Sequence, residues 1–164
     1  MIFVIIRGPA GVGKSTIAKA IAKKLGALYI SFDEILSKHN LDIIEGDGIS
    51  AENFVRGNEL ALDIINQLNS KVIILDGCFY RDKQLSHLIE NFPGKHIIFT
   101  LKASLEECVN RNKERGSSMP EDAIGDVFKL VSRKDYGTII NTSGKTINQV
   151  TEEILSHLPL KKAK

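Results

Sequence analysis

The sequence predicts an α/β fold, a three-layer sandwich in which one parallel β-sheet lies between two layers of helices. Short runs of apolar and β-branched residues alternate with longer segments in which apolar residues recur every three or four positions. The apolar runs are continuous, which is typical of parallel strands that are buried on both faces. Strands separated by helices require crossover connections, and these connections place helices on both faces of the sheet.

The first strand and the first helix have the clearest pattern. Ile2–Ile6 is an unbroken apolar run, and Lys14–Leu25 is helical, with an apolar face opposite three lysines. That face consists of Ile17, Ala18, Ile21, Ala22 and Leu25. Gly26 is expected to end the helix, because glycine readily adopts the left-handed conformation found after helix C-termini.

Two strands and two helices are predicted in the next part of the chain. Ala27–Ser31 is a second strand, and a short helix over about 33–38 follows it. A loop with two glycines leads to a long helix over about Ser50–Asn69, whose apolar residues form one stripe. The third strand, Val72–Leu75, is the most hydrophobic after the first.

The C-terminal half continues the alternation of helices and strands. The predicted elements are a helix over Arg81–Glu90, a strand over His96–Leu101, a helix from Ser104 to Arg115, a helix that begins near Pro120, a strand over Thr138–Ile140 and a final helix from Thr146. Two of these helices have the sequence of a capping box, formed by Ser104 with Glu107 and by Thr146 with Gln149. Gly116-Ser117-Ser118 indicates a flexible break.

The bulk properties are those of one globular domain over residues 1–164. Of these residues 43% are hydrophobic and 26% are charged, and the formal net charge of +2 is too small to indicate nucleic-acid or membrane binding. The basic ending Lys161-Lys162-Ala163-Lys164 is expected to be a solvated terminus. Cys78 and Cys108 form no disulfide framework or metal-spaced cluster, which suits a reducing cytoplasm. The apolar start of the chain is too short for a signal or membrane-spanning segment.

One motif indicates specific chemistry. The phosphate-binding pattern G-x-x-x-x-G-K-[ST] is matched, between a strand and a helix, by Gly8-Pro9-Ala10-Gly11-Val12-Gly13-Lys14-Ser15. Its glycines allow backbone N–H groups to surround phosphate oxygens, and the helix that follows adds partial positive charge. Lys14 is predicted to contact the β- and γ-phosphates and Ser15 to ligate Mg²⁺, with Thr16 as the last nucleotide-binding residue. The chain is therefore predicted to bind ATP and Mg²⁺.

With this loop and this order of elements, the sequence resembles the small-molecule and nucleotide kinases of the P-loop class. These include adenylate, shikimate and gluconate kinases and the chloramphenicol phosphotransferase-like proteins. The resemblance covers nearly the whole chain. It implies a five-stranded parallel sheet in the order 2-3-1-4-5, an acceptor-binding segment over about 33–70, and a lid over about 111–121 that covers the phosphates.

Two residues of the acceptor segment match positions that contact substrate in this family. Asp33 lies just past the second strand, where members that phosphorylate hydroxyls place a carboxylate that accepts the substrate proton. It also fits a helix start, because Ser31 and Glu34 have the spacing of a capping box and a carboxylate is favoured in the first turn. Arg56 resembles the arginine with which family members hold an acidic group of the substrate, and it equally fits a solvated position.

The turn after the third strand holds three further candidates. Asp76 ends the run Val72–Leu75, which is the Walker B pattern whose carboxylate supports the Mg²⁺ shell. Arg81 follows at a spacing one residue longer than the Asp-Gly-x-x-Arg of adenylate kinases, and it is assigned to substrate binding by that resemblance. Cys78 is interpreted as a buried or pocket-lining thiol, because a catalytic thiol requires a paired base.

The predicted lid contains two arginines, Arg111 and Arg115, which lie four residues apart and share a helix face. The family has this Arg-x-x-x-Arg arrangement in its lid, where it stabilises transferring phosphates, so both residues are predicted to be catalytic. Pairing of Arg111 with Glu107 on a solvated helix is the other interpretation. The polar loop Asn141–Lys145 follows the last strand, where the family surrounds the adenine base.

These residues together predict an ATP-dependent phosphotransferase that moves the γ-phosphoryl group to a hydroxyl of a small molecule. Asp33 favours a hydroxyl, because a phosphate acceptor is already nucleophilic and needs no base. Two alternatives stay open, a nucleoside monophosphate kinase with a divergent acceptor segment and a regulatory protein that hydrolyses ATP slowly. A GTPase would carry Asn-Lys-x-Asp, and Asn112-Lys113-Glu114-Arg115 lacks the aspartate. The expected state is a cytoplasmic monomer or homodimer without membrane or nucleic-acid partners, although a polynucleotide 5′ end stays among the acceptors.

Overall fold

The computed structural model describes residues 1–117 and 119–159, and it contains one large sheet and one small hairpin. The strands are β1 (Ile2–Arg7), β2 (Leu28–Ser31), β3 (Ile44–Glu45), β4 (Gly48–Ile49), β5 (Val72–Gly77), β6 (Lys95–Lys102) and β7 (Thr138–Asn141). Five of them form a parallel sheet in the order β2-β5-β1-β6-β7. Numbered within that sheet alone, this is the order 2-3-1-4-5, so the predicted sheet is confirmed.

Seven helices connect the strands in the described part of the chain. They are α1 (Lys14–Leu25), α2 (Phe32–Lys38), α3 (Ala51–Leu68), α4 (Asp82–Asn91), α5 (Leu105–Glu114), α6 (Glu121–Ser132) and α7 (Ile147–Ser156). Capping residues determine where several of these helices begin and end. Gly26 ends α1 with a left-handed φ of 59°, and Ser104 and Thr146 begin α5 and α7 with complete capping boxes, as the sequence predicts.

The core consists of two layers, one on each face of the sheet. Alternate residues of β1 point to opposite faces, so that Val4 and Ile6 pack with α1 and α7, whereas Phe3 and Ile5 pack with α3 and α4. All four are fully buried. Burial of each such side chain contributes about 1.5–3 kcal/mol to the free energy of unfolding. The central strand is therefore strongly stabilised by its packing on both faces. The P-loop follows this strand directly.

The segment between α2 and α3 contains a feature that the sequence does not predict. Where a loop is expected between α2 and α3, Ile44–Glu45 and Gly48–Ile49 pair as a short antiparallel hairpin. Residues beyond the segment hold it. Tyr80 Oη accepts a bond of 2.8 Å from the Ile49 N–H, and Arg81 Nε donates to the Ile49 carbonyl over 2.9 Å. The hairpin therefore lies against the segment between β5 and α4.

Some predicted features fall outside the described residues. They are Ser118 of the predicted break and the basic ending Lys161–Lys164. In the part of the chain that the structure describes, no helix has the length and apolar character needed to cross a membrane.

Candidate active site

The P-loop lies between β1 and α1 in a conformation that requires glycine. Gly11 has a left-handed φ of 81°, and a Cβ atom there would lie 2.1 Å from the Cys108 carbonyl oxygen of α5. Gly13 has a φ of 103° and is the residue at which α1 begins. The loop therefore packs closely against α5, and its N–H groups join the N-terminus of a helix, an arrangement that binds anions.

Lys14 is the buried cation of this loop. Its side chain is 6% exposed, and Nζ donates to the Pro9 carbonyl oxygen over 3.0 Å. Burial alone would lower the pKa of this ammonium, but neighbouring negative groups outweigh burial and raise it. Burial raises the pKa of the Cys78 thiol to about 11. The groups that raise the pKa of the Lys14 ammonium are Cys78 first, and then the carboxylates of Asp33 and Asp76.

Asp76 lies at the carboxyl end of β5, in register with Ile6 of β1 and Ser31 of β2. It is fully buried and accepts two hydrogen bonds, from Ser15 Oγ to Oδ2 over 2.5 Å and from Tyr29 Oη to Oδ1 over 3.0 Å. Burial raises the pKa of this carboxyl, although the bond from Ser15 and the charge of Lys14 oppose the shift.

The pair of Ser15 and Asp76 fits a magnesium site. A hydroxyl and a carboxylate are hard oxygen donors, and Mg²⁺ bound with a nucleotide takes one or two such groups together with phosphate oxygens and water. Among the described residues there is no cluster of three or more His, Cys, Asp or Glu side chains that could hold a metal ion. A site that takes its remaining ligands from the nucleotide needs no such cluster.

A first cavity of about 270 Å³ adjoins the outer side of the P-loop, and we call it the nucleotide cavity. Its lining includes Gly11, Gly13, Thr16, Arg111, Arg115, Thr142 and Lys145. Thr142 and Lys145 belong to the loop after β7, which the resemblance places around the adenine base. Ile17, Ile147 and Val150 give the cavity an apolar wall, which is suitable for a purine.

The two arginines of α5 have different environments. Arg111 is half-buried and donates to Thr142 Oγ1 over 2.9 Å, to the Thr142 carbonyl over 3.2 Å and to the Val12 carbonyl over 3.3 Å. Arg111 Nη2 also lies 3.5 Å from Glu107 Oε1, so the ion pair that the sequence offered as the other interpretation is present. Arg115 is exposed, and within residues 1–117 and 119–159 its guanidinium makes one bond, of 3.1 Å, to Asn112 Oδ1. Arg111 is thus held by the loops around the nucleotide cavity, whereas Arg115 can move.

A second cavity, of about 340 Å³, also adjoins the P-loop, and we call it the acceptor cavity. Its polar lining includes Lys14, Ser15, Asp33, Asp42, Cys78, Tyr80 and Arg115, and its apolar lining includes Leu36, Ile44, Ile49, Phe54, Met119 and Val127. Asp33 is in the first turn of α2, where Ser31 caps the helix by accepting a bond from the Glu34 N–H over 3.4 Å. The capping role therefore belongs to Ser31, and the carboxylate of Asp33 borders the cavity.

Two arginines that the sequence assigns to substrate binding line neither cavity. Arg56 is 63% exposed and pairs with Glu59 on the surface of α3, which corresponds to the solvated interpretation. Arg81 binds the β3–β4 hairpin through the Ile49 carbonyl and, over 2.6 Å, through Asp47. Its guanidinium also lies 5.1 Å from the centre of the Tyr80 ring. Arg81 therefore positions the hairpin that borders the acceptor cavity.

Several residues around the site were missed at the level of sequence. Tyr29 donates a hydrogen bond to Asp76. Its position near the end of β2, the strand that pairs with β5, is the feature of the sequence that could have indicated this contact. Thr142 binds Arg111 directly after β7. Arg7 is 1% exposed and donates to the carbonyls of Val131, Lys134 and Phe79 and to Thr100 Oγ1. Burial lowers the pKa of the Arg7 guanidinium, and its bonds connect the strand before the P-loop with the end of α6.

Comparison with known proteins shows the family to which the chain belongs. The sequence matches the AAA domain family over residues 4–137. A putative adenylate kinase of Pyrococcus furiosus is 31% identical over 161 residues, which cover 92% of this chain and 81% of that protein. A shikimate kinase of Thermodesulfovibrio yellowstonii is 27% identical over 165 residues, which cover 93% and 92%. An unliganded sugar kinase from Janibacter sp. has the same fold, with a TM-score of 0.76 at 20% identity over 94% of this chain and 92% of that chain. The chain therefore belongs to the AAA domain family, among the P-loop small-molecule and nucleotide kinases.

Proposed function

We propose that the protein is a magnesium-dependent kinase that transfers the γ-phosphoryl group of ATP to a hydroxyl of a small molecule. One observation carries this proposal. The nucleotide cavity and the acceptor cavity share Gly11, Gly13 and Arg115, so that they meet at the P-loop. A triphosphate whose base lies in the first cavity would direct its γ-phosphate toward the second, where Asp33 is found.

The proposed transfer is a displacement at the γ-phosphorus. The acceptor oxygen forms a new P–O bond, the bond from the γ-phosphorus to the oxygen bridging the β-phosphate breaks, and ADP leaves with that electron pair. The hydroxyl proton goes to the Asp33 carboxylate and then to solvent. The products are thus a phosphate ester, ADP and one proton. A base in this position typically contributes about 10²–10⁴ in rate.

The remaining residues of the proposed site act by charge. Lys14 and Arg115 would neutralise the transferring phosphate, since Lys14 is charged and buried and Arg115 lines both cavities. Ser15 and Asp76 would hold Mg²⁺, which supplies charge neutralisation at the β- and γ-phosphates when it is bound. Asp76 is already positioned by Tyr29, so the carboxylate need not reorganise.

A nucleoside monophosphate kinase is the second candidate, and the 31% identity to a putative adenylate kinase favours it. Such an enzyme must bind a phosphate of the acceptor, usually with arginine. Among the described residues of the acceptor cavity, the cations are Lys14 of the P-loop and Arg115, which also lines the nucleotide cavity, and this proposal assigns both to the phosphates of ATP. Arg56 and Arg81 do not line this cavity. The charge of the acceptor cavity therefore supports a hydroxyl acceptor without a phosphate group.

The experiment that tests the proposal compares Asp33→Asn with Glu34→Gln. Both variants remove one carboxylate from the first turn of α2, but Asp33 lines the acceptor cavity and Glu34 does not. We expect Asp33→Asn to lower the single-turnover rate of transfer to an alcohol about 10²-fold or more, with near-normal ATP affinity. Glu34→Gln should retain the rate. Both should lower the melting temperature by a similar small amount, because both remove a favourable helix-dipole interaction.

Two outcomes would contradict the proposal. In the first, Asp33→Asn has a lower melting temperature but an intact transfer rate, so the carboxylate stabilises the helix and takes no part in the chemistry. In the second, a screen with γ-labelled ATP finds label in nucleoside diphosphates and in no alcohol. That result would make the nucleoside monophosphate kinase the correct function.

A further inference from the structure

The acceptor cavity contains a carboxylate that the proposed phosphoryl transfer does not use. Asp42 lines this cavity together with Asp33, and it lies between α2 and the β3–β4 hairpin. Within residues 1–117 and 119–159, its carboxylate has neither a hydrogen bond nor an ion pair. Asp42 is an exposed residue, so its carboxylate is solvated and accessible to a group of an acceptor that enters the cavity.

The backbone beside Asp42 is held by neighbouring helices. The Leu41 N–H donates to the Leu36 carbonyl at the end of α2 over 2.8 Å. Asn53 Nδ2 donates to the Leu41 carbonyl over 3.1 Å, and the Asn53 N–H donates to Ser50 Oγ over 3.2 Å at the start of α3. Leu41, the residue before Asp42, is thus bonded to both helices that border the cavity. A carboxylate on a backbone fixed in this way can orient a ligand.

The charged residues that line the acceptor cavity differ in which ligand they are available to. Among its described residues they are the cations Lys14 and Arg115 and the carboxylates Asp33 and Asp42. In the proposed function, on which this inference rests, both cations face the triphosphate. The charge that remains for the acceptor is negative. Such a surface disfavours a carboxylate or a phosphate on the acceptor and favours a positive group, because like charges repel and opposite charges attract.

We propose that the acceptor is an alcohol that also carries an ammonium group, and that Asp42 binds this ammonium group. The hydroxyl of the acceptor lies at Asp33, and its apolar part packs against Ile44, Ile49 and Phe54. A cavity of about 340 Å³ is at the small end of the range for ligand pockets, so the acceptor is a small amino alcohol.

The test uses acceptors that differ in one group. Phenylalaninol carries a hydroxyl and an ammonium group, the corresponding diol has a second hydroxyl in place of the ammonium group, and phenyllactate has a carboxylate in place of the hydroxymethyl group of that diol. Glucosamine, glucose and glucuronate form a second set without an aromatic ring. Label transfer from γ-labelled ATP is measured for each acceptor with the unmodified protein, Asp42→Asn and Glu45→Gln. Glu45 is an exposed residue of β3 that does not line the cavity, so Glu45→Gln removes the same charge nearby.

We expect kcat/KM for the amino alcohol to exceed that for the matched diol by about tenfold, the value of one hydrogen-bonded charge pair. Asp42→Asn should abolish this ratio, and Glu45→Gln should retain it. A preference for the carboxylate acceptor, or a ratio that survives Asp42→Asn, overturns this inference while label in the alcohols still supports the proposed function. If no alcohol is labelled in either set and label appears only in nucleotides or free phosphate, both proposals are wrong.

Discussion

The nucleotide side and the acceptor side of the site adjoin the same P-loop, but they are built differently. The nucleotide side rests on the ends of buried strands. Asp76 is fully buried at the end of β5 and is bonded by Ser15 and Tyr29. The acceptor side rests on α2, a hairpin with two residues in each strand, and the first turns of α3. Its charged contacts lie at the surface, since Asp47, which pairs with two arginines, is 50% exposed.

This difference separates a fixed part of the site from an adjustable part. Removing one partner of a buried, bonded charge leaves the other uncompensated and costs about 3–5 kcal/mol, whereas exposed ion pairs contribute little. Substitutions on the nucleotide side therefore affect folding and chemistry together. Substitutions on the acceptor side can change the cavity at small cost in stability. We infer that one phosphate site can serve different acceptors through changes in α2, the hairpin and α3.

The largest expected effect is at Lys14 of the P-loop, which the two sides share. Lys14→Ala removes the ammonium group of the P-loop, and turnover should fall by a factor of about 10² or more, because in the proposed function this charge stabilises the transferring phosphate. Lys23→Ala is the matched control, since Lys23 is an exposed lysine of α1 that lines neither cavity. Steady-state kinetics and melting temperatures are measured for both variants. Unchanged turnover in folded Lys14→Ala would show that the loop is not the phosphate site.

A smaller effect is expected at the boundary between the two sides, where the two arginines of α5 should differ. Arg115→Ala should lower kcat by up to about 10²-fold with little change in the KM for ATP, because an exposed arginine bordering both cavities can act in the transition state. Arg111→Ala should mainly raise the KM for ATP, because Arg111 connects α5 to Thr142 and Val12. Arg56→Ala, an exposed arginine outside both cavities, is the control.

The kinetic measurement distinguishes a lid from a solvated helix surface. If kcat stays within about twofold in both Arg115→Ala and Arg111→Ala, neither arginine stabilises the transition state, and the assignment of a lid over about 111–121 is wrong. Equal losses of kcat in the two variants would contradict the distinction between a held and a mobile arginine. The melting temperature of Arg111→Ala should fall more than that of Arg115→Ala, since it loses more bonds.

The sequence predicts the nucleotide side well because its determinants are local. The strand before the P-loop, the glycines within it and the helix after it occupy one continuous stretch, and the capping residues Ser104 and Thr146 act within three positions of their partners. The order of the sheet is different. It depends on contacts between distant strands, and it was predicted through the resemblance to a known family. The structure agrees with it.

The acceptor side was predicted less completely because distant residues determine it. The β3–β4 hairpin is held by Tyr80 and Arg81, about thirty positions away, so its own sequence shows only a loop with glycines. The resemblance to adenylate kinases assigned Arg81 to substrate binding, but in the structure Arg81 binds the Ile49 carbonyl and the Asp47 carboxylate and so positions the hairpin. Asp42 has no motif around it. Its place in the cavity depends on how α2 and α3 pack.

The smallest expected effect is on the acceptor side, at the surface contact of the hairpin. Asp47→Asn weakens the bonds from Arg81 and Arg133, while Arg81 keeps its bond to the Ile49 carbonyl. The KM for the acceptor should rise by about two- to fivefold, with the KM for ATP unchanged, because exposed pairs are weak and this one is remote from the P-loop. Asp126→Asn, which removes an exposed carboxylate paired within α6, is the control. An equal rise in both KM values would contradict the independence of the two sides.

The pH dependence of stability gives Asp47→Asn a second test. Hydrogen bonds from Arg81 and then from Arg133 hold the pKa of the Asp47 carboxyl below its ordinary value of 3.8. The unfolded chain has the ordinary value, so the folded state binds fewer protons between the two pKa values. The pair therefore stabilises the fold fully above 3.8 and loses this contribution as pH falls through the lowered folded pKa. The difference in melting temperature between the unmodified protein and Asp47→Asn should be small and constant from about pH 7 to about pH 5, and it should vanish in stronger acid. A difference that persists below both pKa values would mean that the side chain fixes the hairpin by its shape, and the acceptor side would then be less adjustable than its exposed charges indicate.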